Sequence, residues 1–95
     1  MVRVCTILSV VDIDYLKSKG IIRSKFIKQS ITYYFNNKIQ ILGTKPGTTN
    51  LKRFIVDIPD NLQKHLYTEN IRFVDYLRKF IELHRNGDFI YDYMT

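Results

Sequence analysis

The sequence predicts a mainly helical α+β domain in which one strand–helix–helix module occurs twice in a single chain. Two observations predict this class. Short segments rich in β-branched or alternating apolar residues each precede two amphipathic helical segments, and the whole order recurs after a shift of fifty residues. The chain has 95 residues, of which 45% are hydrophobic and 14% aromatic, so it can bury one small core.

The first module begins with a strand at Met1 to Leu8, which is rich in β-branched residues. Ser9 and Asp12 then form a predicted capping box, so a short helix should follow and should end at Gly20, a residue that suits a left-handed C-cap. A longer helix is expected from about Ile22 to Asn37. Its apolar side is predicted from residues at helical spacing, namely Phe26, Ile27, Ile31, Tyr34 and Phe35.

The second module repeats this order. Leu51 to Ile58 alternates like a strand, and Pro59 with Asp60 should open a short helix. Asn70, which tolerates left-handed geometry, stands fifty residues after the first helix stop. A second long helix should end at Gly87. Its predicted apolar face comprises Phe73, Val74, Leu77, Phe80 and Ile81.

These patterns divide the chain into four parts. We predict a first module at 1–37, a linker at 38–50, a second module at 51–87 and an acidic aromatic tail at 88–95. We expect the tail to fold back on the helices, with binding to a neighbouring molecule as the alternative.

The charge of the chain is unevenly distributed. There are 15 basic and 9 acidic residues; residues 1–56 hold ten Lys/Arg against two Asp, a net charge of +8, whereas residues 57–95 carry −2. This asymmetry favours a polyanionic partner, nucleic acid before a membrane surface, because no basic helix with a broad lipid-type face is evident. A basic face that merely contacts solvent is the alternative. No apolar run approaches the ~20 residues of a membrane span.

Several function classes are not expected. The single cysteine, Cys5, rules out an internal disulfide and fits a reducing, intracellular compartment. The two histidines, His65 and His84, have no metal-ligand spacing, and we expect surface or interface roles for them and no metal or cofactor. No nucleophile–base pair or acidic dyad can be proposed, so we do not expect an enzyme.

The run Gly20-Ile-Ile-Arg-Ser-Lys-Phe-Ile27 resembles the start of the second helix in the ribbon-helix-helix family of transcriptional regulators, the Arc, MetJ and CopG type. Ser9 and Pro59 stand at the strand-to-helix junctions, as in that family. The second module departs from the pattern, because Arg72 to Asp75 replace the polar turn.

The resemblance implies that the two strands pair into an antiparallel β-ribbon that enters the major groove of double-stranded DNA. Two modules in one chain imply an intramolecular pseudo-dimer, similar to small regulators of archaeal viruses that act inside an infected host cell. Each module alone would expose a ribbon edge and apolar helix faces, so pairing is also expected on physical grounds.

The expected site has two parts. The outward ribbon face should carry the base-reading residues Arg3, Cys5, Ile7, Arg53, Ile55 and Asp57, with Val4, Thr6, Leu8, Phe54, Val56 and Ile58 facing inward. A slip of the first strand by one residue would turn Val4 and Thr6 outward instead. Phosphates should bind at Ile22, Arg23, Ser24 and Lys25, and more weakly at Arg72 and Phe73.

We therefore expect a sequence-specific regulator of transcription, with self-association of several copies on an operator as a further expectation. Two alternatives remain open from the sequence. One is an antitoxin-like or plasmid-control regulator with a protein partner, and the other is a protein-interaction or virion component without a nucleic-acid role.

Overall fold

The computed structural model of the chain describes residues 1–41 and 50–94, so most of the predicted linker lies outside the described residues. The described part confirms the α+β class, with four helices and one two-stranded antiparallel sheet. The element bounds lie close to those predicted. In chain order they are β1 (Val2–Ser9), α1 (Val10–Ser18), α2 (Arg23–Asn37), β2 (Leu51–Ile58), α3 (Asp60–Thr68) and α4 (Phe73–Arg85).

The two strands form a ribbon with a well-defined register. Val2 lies opposite Ile58, and Ser9 lies opposite Leu51. Residues alternate between an outer exposed face and an inner face that contacts the helices, as strand geometry requires. The inner face carries Leu8, Phe54, Val56 and Ile58, all buried, with half-buried Val4 and Thr6. The alternative in which the first strand slips by one residue is therefore wrong, because Val4 and Thr6 do not face outward.

Each short helix ends in a left-handed residue. Gly20 has φ +66° and Asn70 has φ +56°, and the next residue in both places donates its N–H to a carbonyl of the preceding helix. These bonds satisfy carbonyl groups that the helix end would otherwise leave unpaired. At the start of α1, the N–H of Asp12 donates to Oγ of Ser9 at 3.2 Å, as the predicted cap requires.

The core lies between the inner ribbon face and the helices. Its largest fully buried side chains include Phe26, Phe54, Leu62, Tyr76 and Phe80. The prediction that Phe35 lies on the apolar side of α2 is wrong, because 45% of its surface is exposed. The cause is its position at the edge of the apolar stripe, where its ring contacts buried Tyr34 and half-buried His65 on one side and solvent on the other.

The tail folds back on the helices. Phe89 and Tyr91 are buried, and the Phe89 ring lies 5.4 Å from that of Phe26. Gln29 of α2 exchanges two hydrogen bonds with the backbone of Asp92, at 2.8 and 2.6 Å. Buried and exposed residues alternate along the tail as they do in a β-strand. At Asp92, however, these backbone hydrogen bonds are formed with the side chain of Gln29 and not with another strand.

Candidate nucleic-acid interface

The outer face of the ribbon brings together all six residues predicted to read bases. Direct cross-strand pairing places Arg3 opposite Asp57, Cys5 opposite Ile55, and Ile7 opposite Arg53. Five of the six side chains are exposed, and Asp57 is half-buried. The face is therefore a row of three cross-strand pairs with an apolar pair at its centre.

The two ends of this face differ in charge. At one end Nε of Arg3 donates to Oδ1 of Asp57 at 3.3 Å. At the other end Arg53 faces Ile7, and within residues 1–41 and 50–94 no acidic side chain forms an ion pair with it. Arg53 therefore presents an uncompensated positive charge, whereas that of Arg3 is offset by its neighbour.

The start of α2 lies beside strand β2. With Arg3 of β1 they line a shallow groove, whose other residues are Ile21, Ile22, Arg23, Ser24, Ile55, Val56 and Asp57. The helix has no side-chain cap and no acidic residue in its first turn. Because the first N–H groups of a helix have no acceptor within it, those of Arg23, Ser24 and Lys25 form an electropositive end suited to an anion.

Two predicted phosphate-binding groups here already have protein partners. Nη1 of Arg23 donates to the carbonyl oxygen of Ile55 at 3.2 Å, and its guanidinium lies 4.2 Å from the centre of the Phe54 ring. The N–H of Ile22 donates to Oη of Tyr91 at 3.3 Å. The Arg23 side chain is therefore held against the ribbon, and its remaining N–H groups are available to a phosphate. The backbone N–H of Ile22 would have to leave Tyr91 before it could bind a phosphate.

The start of α4 lies beside strand β1 and has a different character. Its groove is lined by Val4, Cys5, Thr6, Ile7, Leu51, Arg72, Phe73, Val74, Asp75 and Arg78. Asp75, only 4% exposed, lies in the first turn and accepts from Nε and Nη2 of Arg72 at 3.0 and 3.2 Å. Its hydrogen bonds and negative charge raise the pKa of Arg72. The electropositive helix start here is thus accompanied by an internal carboxylate.

The two histidines each pair with a tyrosine. His84 lies 2.6 Å from Oη of Tyr15, and His65 lies 2.9 Å from Oη of Tyr34. Both histidines are half-buried, and in the part of the chain that the structure describes no three His, Cys, Asp or Glu residues are grouped as a metal site would need. Their positions are interfaces between helices.

Sequence reasoning missed two contributors to the α2 groove. The sequence predicts Phe54 only as an inner-face residue, yet its ring also contacts the guanidinium of Arg23. Tyr91 of the tail contacts the helix start through its hydroxyl, a contact that the sequence does not predict. The sequence offers no clear signal for this contact, because Ile90, between Phe89 and Tyr91, is also apolar and interrupts any period-two alternation.

Comparisons with protein-family models, curated proteins and solved structures find no significant match to this chain. In the described ranges, no helix has the length and apolar character that crossing a bilayer requires.

Proposed function

We propose that this chain is a sequence-specific, double-stranded DNA-binding regulator of transcription of the ribbon-helix-helix type. In this proposal the two modules form an intramolecular pseudo-dimer. The β1–β2 ribbon enters the major groove, and the starts of α2 and α4 hold the phosphate backbones on either side. An intracellular site of action follows from the DNA partner.

The spacing of the helices is the observation that carries the proposal. Helices α1 and α3 begin fifty residues apart, at Val10 and Asp60, and so do α2 and α4, at Arg23 and Phe73. The antiparallel ribbon is compatible with a two-fold axis between the modules, and in the observed register that axis would pass through the pair Cys5 and Ile55.

The shape of the ribbon face fits this use. The major groove of B-DNA is about 12 Å wide and accepts a two-stranded ribbon. The α2 start flanks β2 and the α4 start flanks β1. In the proposed pseudo-dimer, one helix start therefore lies on each side of the ribbon face that enters the groove. Backbone N–H groups at such positions bind phosphates without reference to sequence, and they set the orientation of the ribbon.

The charge distribution supports the same partner. Arg23 and Lys25 add two positive charges to the first turn of α2, which has no acidic residue. On the ribbon, arginine can donate to the O6 and N7 atoms of guanine, and isoleucine can contact a thymine methyl group. Asp57 accepts only from a cytosine amino group or stays clear of DNA.

A protein partner is the second candidate, and one feature favours it. The groove between β1 and α4 is lined largely by apolar side chains, including exposed Ile7 and Leu51 and half-buried Phe73 and Val74. An antitoxin-like or plasmid-control regulator would use such a groove to hold a partner protein, as would a protein-interaction or virion component. Co-purification of one protein in stoichiometric amount, without DNA affinity, would favour this candidate.

Binding to duplex DNA across a range of salt concentrations tests the proposal. The logarithm of affinity should fall linearly with the logarithm of salt concentration, because each neutralised phosphate releases counterions. Sedimentation without DNA should show a folded monomer if the pseudo-dimer is intramolecular. An affinity that does not change with salt concentration, or no affinity for any duplex, would exclude DNA binding. An obligatory dimer in sedimentation would exclude the tandem architecture.

A further inference from the structure

We infer that the two ends of the ribbon read DNA unequally, so that the chain binds a non-palindromic site in one orientation, with Arg53 as the principal base-reading residue. This inference rests on the proposed function and specifies its DNA target.

The argument begins with symmetry. In a homodimeric ribbon the two ends are identical, so the DNA site mirrors the two-fold axis of the protein and is palindromic. When both modules belong to one chain, matching positions can hold different residues. Here the counterparts Arg3 and Arg53 are identical, but Asp57 faces the first and Ile7 faces the second.

This difference changes what each arginine can do. Reading guanine requires two N–H donors directed at O6 and N7. Arg3 donates through Nε to Asp57, which leaves its Nη donors available but fixes a carboxylate beside it. That carboxylate offsets the positive charge of Arg3 and would repel the phosphates next to any base that Arg3 contacts. Arg53 faces an aliphatic side chain and is exposed, and among residues 1–41 and 50–94 no group has to be displaced for its donors to meet a base edge.

The two helix starts that flank the ribbon also differ, in the charge they present to a phosphate. The α2 start, beside the Arg3–Asp57 end, combines uncapped N–H groups with Arg23 and Lys25. The α4 start, beside Ile7, includes the carboxylate of Asp75 together with Arg72 and Arg78. Phosphate binding is therefore strongest at one end of the ribbon and base reading at the other, which distinguishes the two orientations on DNA.

Selection of duplexes from a random-sequence library tests this inference. The enriched site should lack two-fold symmetry and should contain one strongly preferred guanine. Dissociation constants for each single base-pair change should then show that Arg53→Ala removes the preference at that guanine, a loss of roughly 5- to 150-fold. Arg3→Ala should leave the preference profile nearly unchanged.

Asp57→Ile supplies the matched variant, because it places at residue 57 the same side chain that faces Arg53. This variant should gain a guanine preference at the position related to the first by the two-fold axis, and the selected site should become more symmetric. Ile7→Asp should have the opposite effect and weaken the original preference. All four positions lie on the ribbon surface, and circular dichroism checks that each variant is folded.

The outcomes separate the inference from the proposed function. A palindromic selected site, with equal effects of Arg3→Ala and Arg53→Ala, would overturn unequal reading while leaving DNA binding in place. No enriched sequence, together with no salt-dependent affinity for any duplex, would overturn the proposed function itself. Salt-dependent binding without any sequence preference would overturn the assignment of Arg53 as a base reader.

Discussion

The hydroxyl oxygen of Tyr15 lies 2.6 Å from Nδ1 of His84, joining α1 to α4. The reciprocal contact joins Tyr34 of α2 to His65 of α3, at 2.9 Å. Residues 15 and 65 are counterparts under the fifty-residue shift, as are 34 and 84, and the two residue types have exchanged places. The same donor–acceptor chemistry is thus kept on both sides of the proposed pseudo-two-fold axis.

We expect both tyrosine hydroxyls to stabilise the fold. Tyr15→Phe and Tyr34→Phe should each lower the free energy of unfolding by about 0.5–1.5 kcal/mol, because each leaves a histidine nitrogen without its partner. Urea denaturation measures this change. Tyr67→Phe is the control, since Tyr67 is 87% exposed. If the first two variants lose no more stability than the control, the reciprocal contacts contribute nothing.

His84 should make stability depend on pH. Burial, and then the charge of Lys19, lowers the pKa of His84 below its ordinary value. The folded state therefore binds this proton less readily than the unfolded chain, so stability is complete above the ordinary pKa of about 6.5 and decreases as pH falls towards the lower, folded-state pKa.

Thermal unfolding at several pH values between neutral and mildly acidic would measure this effect. The wild-type midpoint should fall on acidification, and His84→Gln should show a smaller fall over the same range. An identical pH dependence in both proteins would assign the effect to other groups.

The buried pair Ser30 and Tyr76 should show strong coupling. Their hydroxyl oxygens are 2.7 Å apart, and Oγ of Ser30 also donates to the carbonyl of Ile27. Burial raises the pKa of Tyr76 despite this hydrogen bond. Ser30→Ala should cost about 1–3 kcal/mol of unfolding free energy, because the Tyr76 hydroxyl loses its partner in a buried site.

The double variant Ser30→Ala/Tyr76→Phe should then cost less than the sum of the single changes, since both polar groups are removed together. Chemical denaturation of the four proteins gives the coupling energy. Strict additivity would show that the two hydroxyls act independently.

The tail should contribute to stability through alternate residues. Phe89→Ala should lower the free energy of unfolding by about 3–5 kcal/mol, because it removes a buried ring that contacts Phe26, Tyr33 and Phe80. Ile90→Ala is the adjacent control, with Ile90 81% exposed. Similar small effects of both changes, measured by denaturation, would mean that the tail is not packed in solution.

The α2 start should account for much of the salt dependence of DNA binding. Replacing Arg23 and Lys25 by glutamine should reduce the slope of log affinity against log salt by about one unit for each lost phosphate contact. Lys64→Gln on α3 controls for the loss of one positive charge, so its effect is compared with half of the effect of the double variant. Binding titrations would contradict the assignment if the control lowered the slope by as much per charge removed as the double variant does.

Much of the fold follows from local sequence patterns. Period-two alternation in residues 51–58 predicts β2, and Gly20 and Asn70 predict the ends of α1 and α3, because few residues adopt positive φ without strain. The fifty-residue shift between the modules is likewise a property of the sequence alone. These features depend on neighbouring residues or on periodicity, which a sequence displays directly.

Only the tertiary structure decided which charges are compensated and which aromatic residues are buried. Whether Arg3 or Arg53 meets a carboxylate depends on the strand register, a relation between residues 54 positions apart. The exposure of Phe35, the contact of Arg23 with Phe54 and the placement of Tyr91 at the α2 start likewise arise from packing of distant segments. Such contacts are fixed by long-range geometry, which local propensity does not contain.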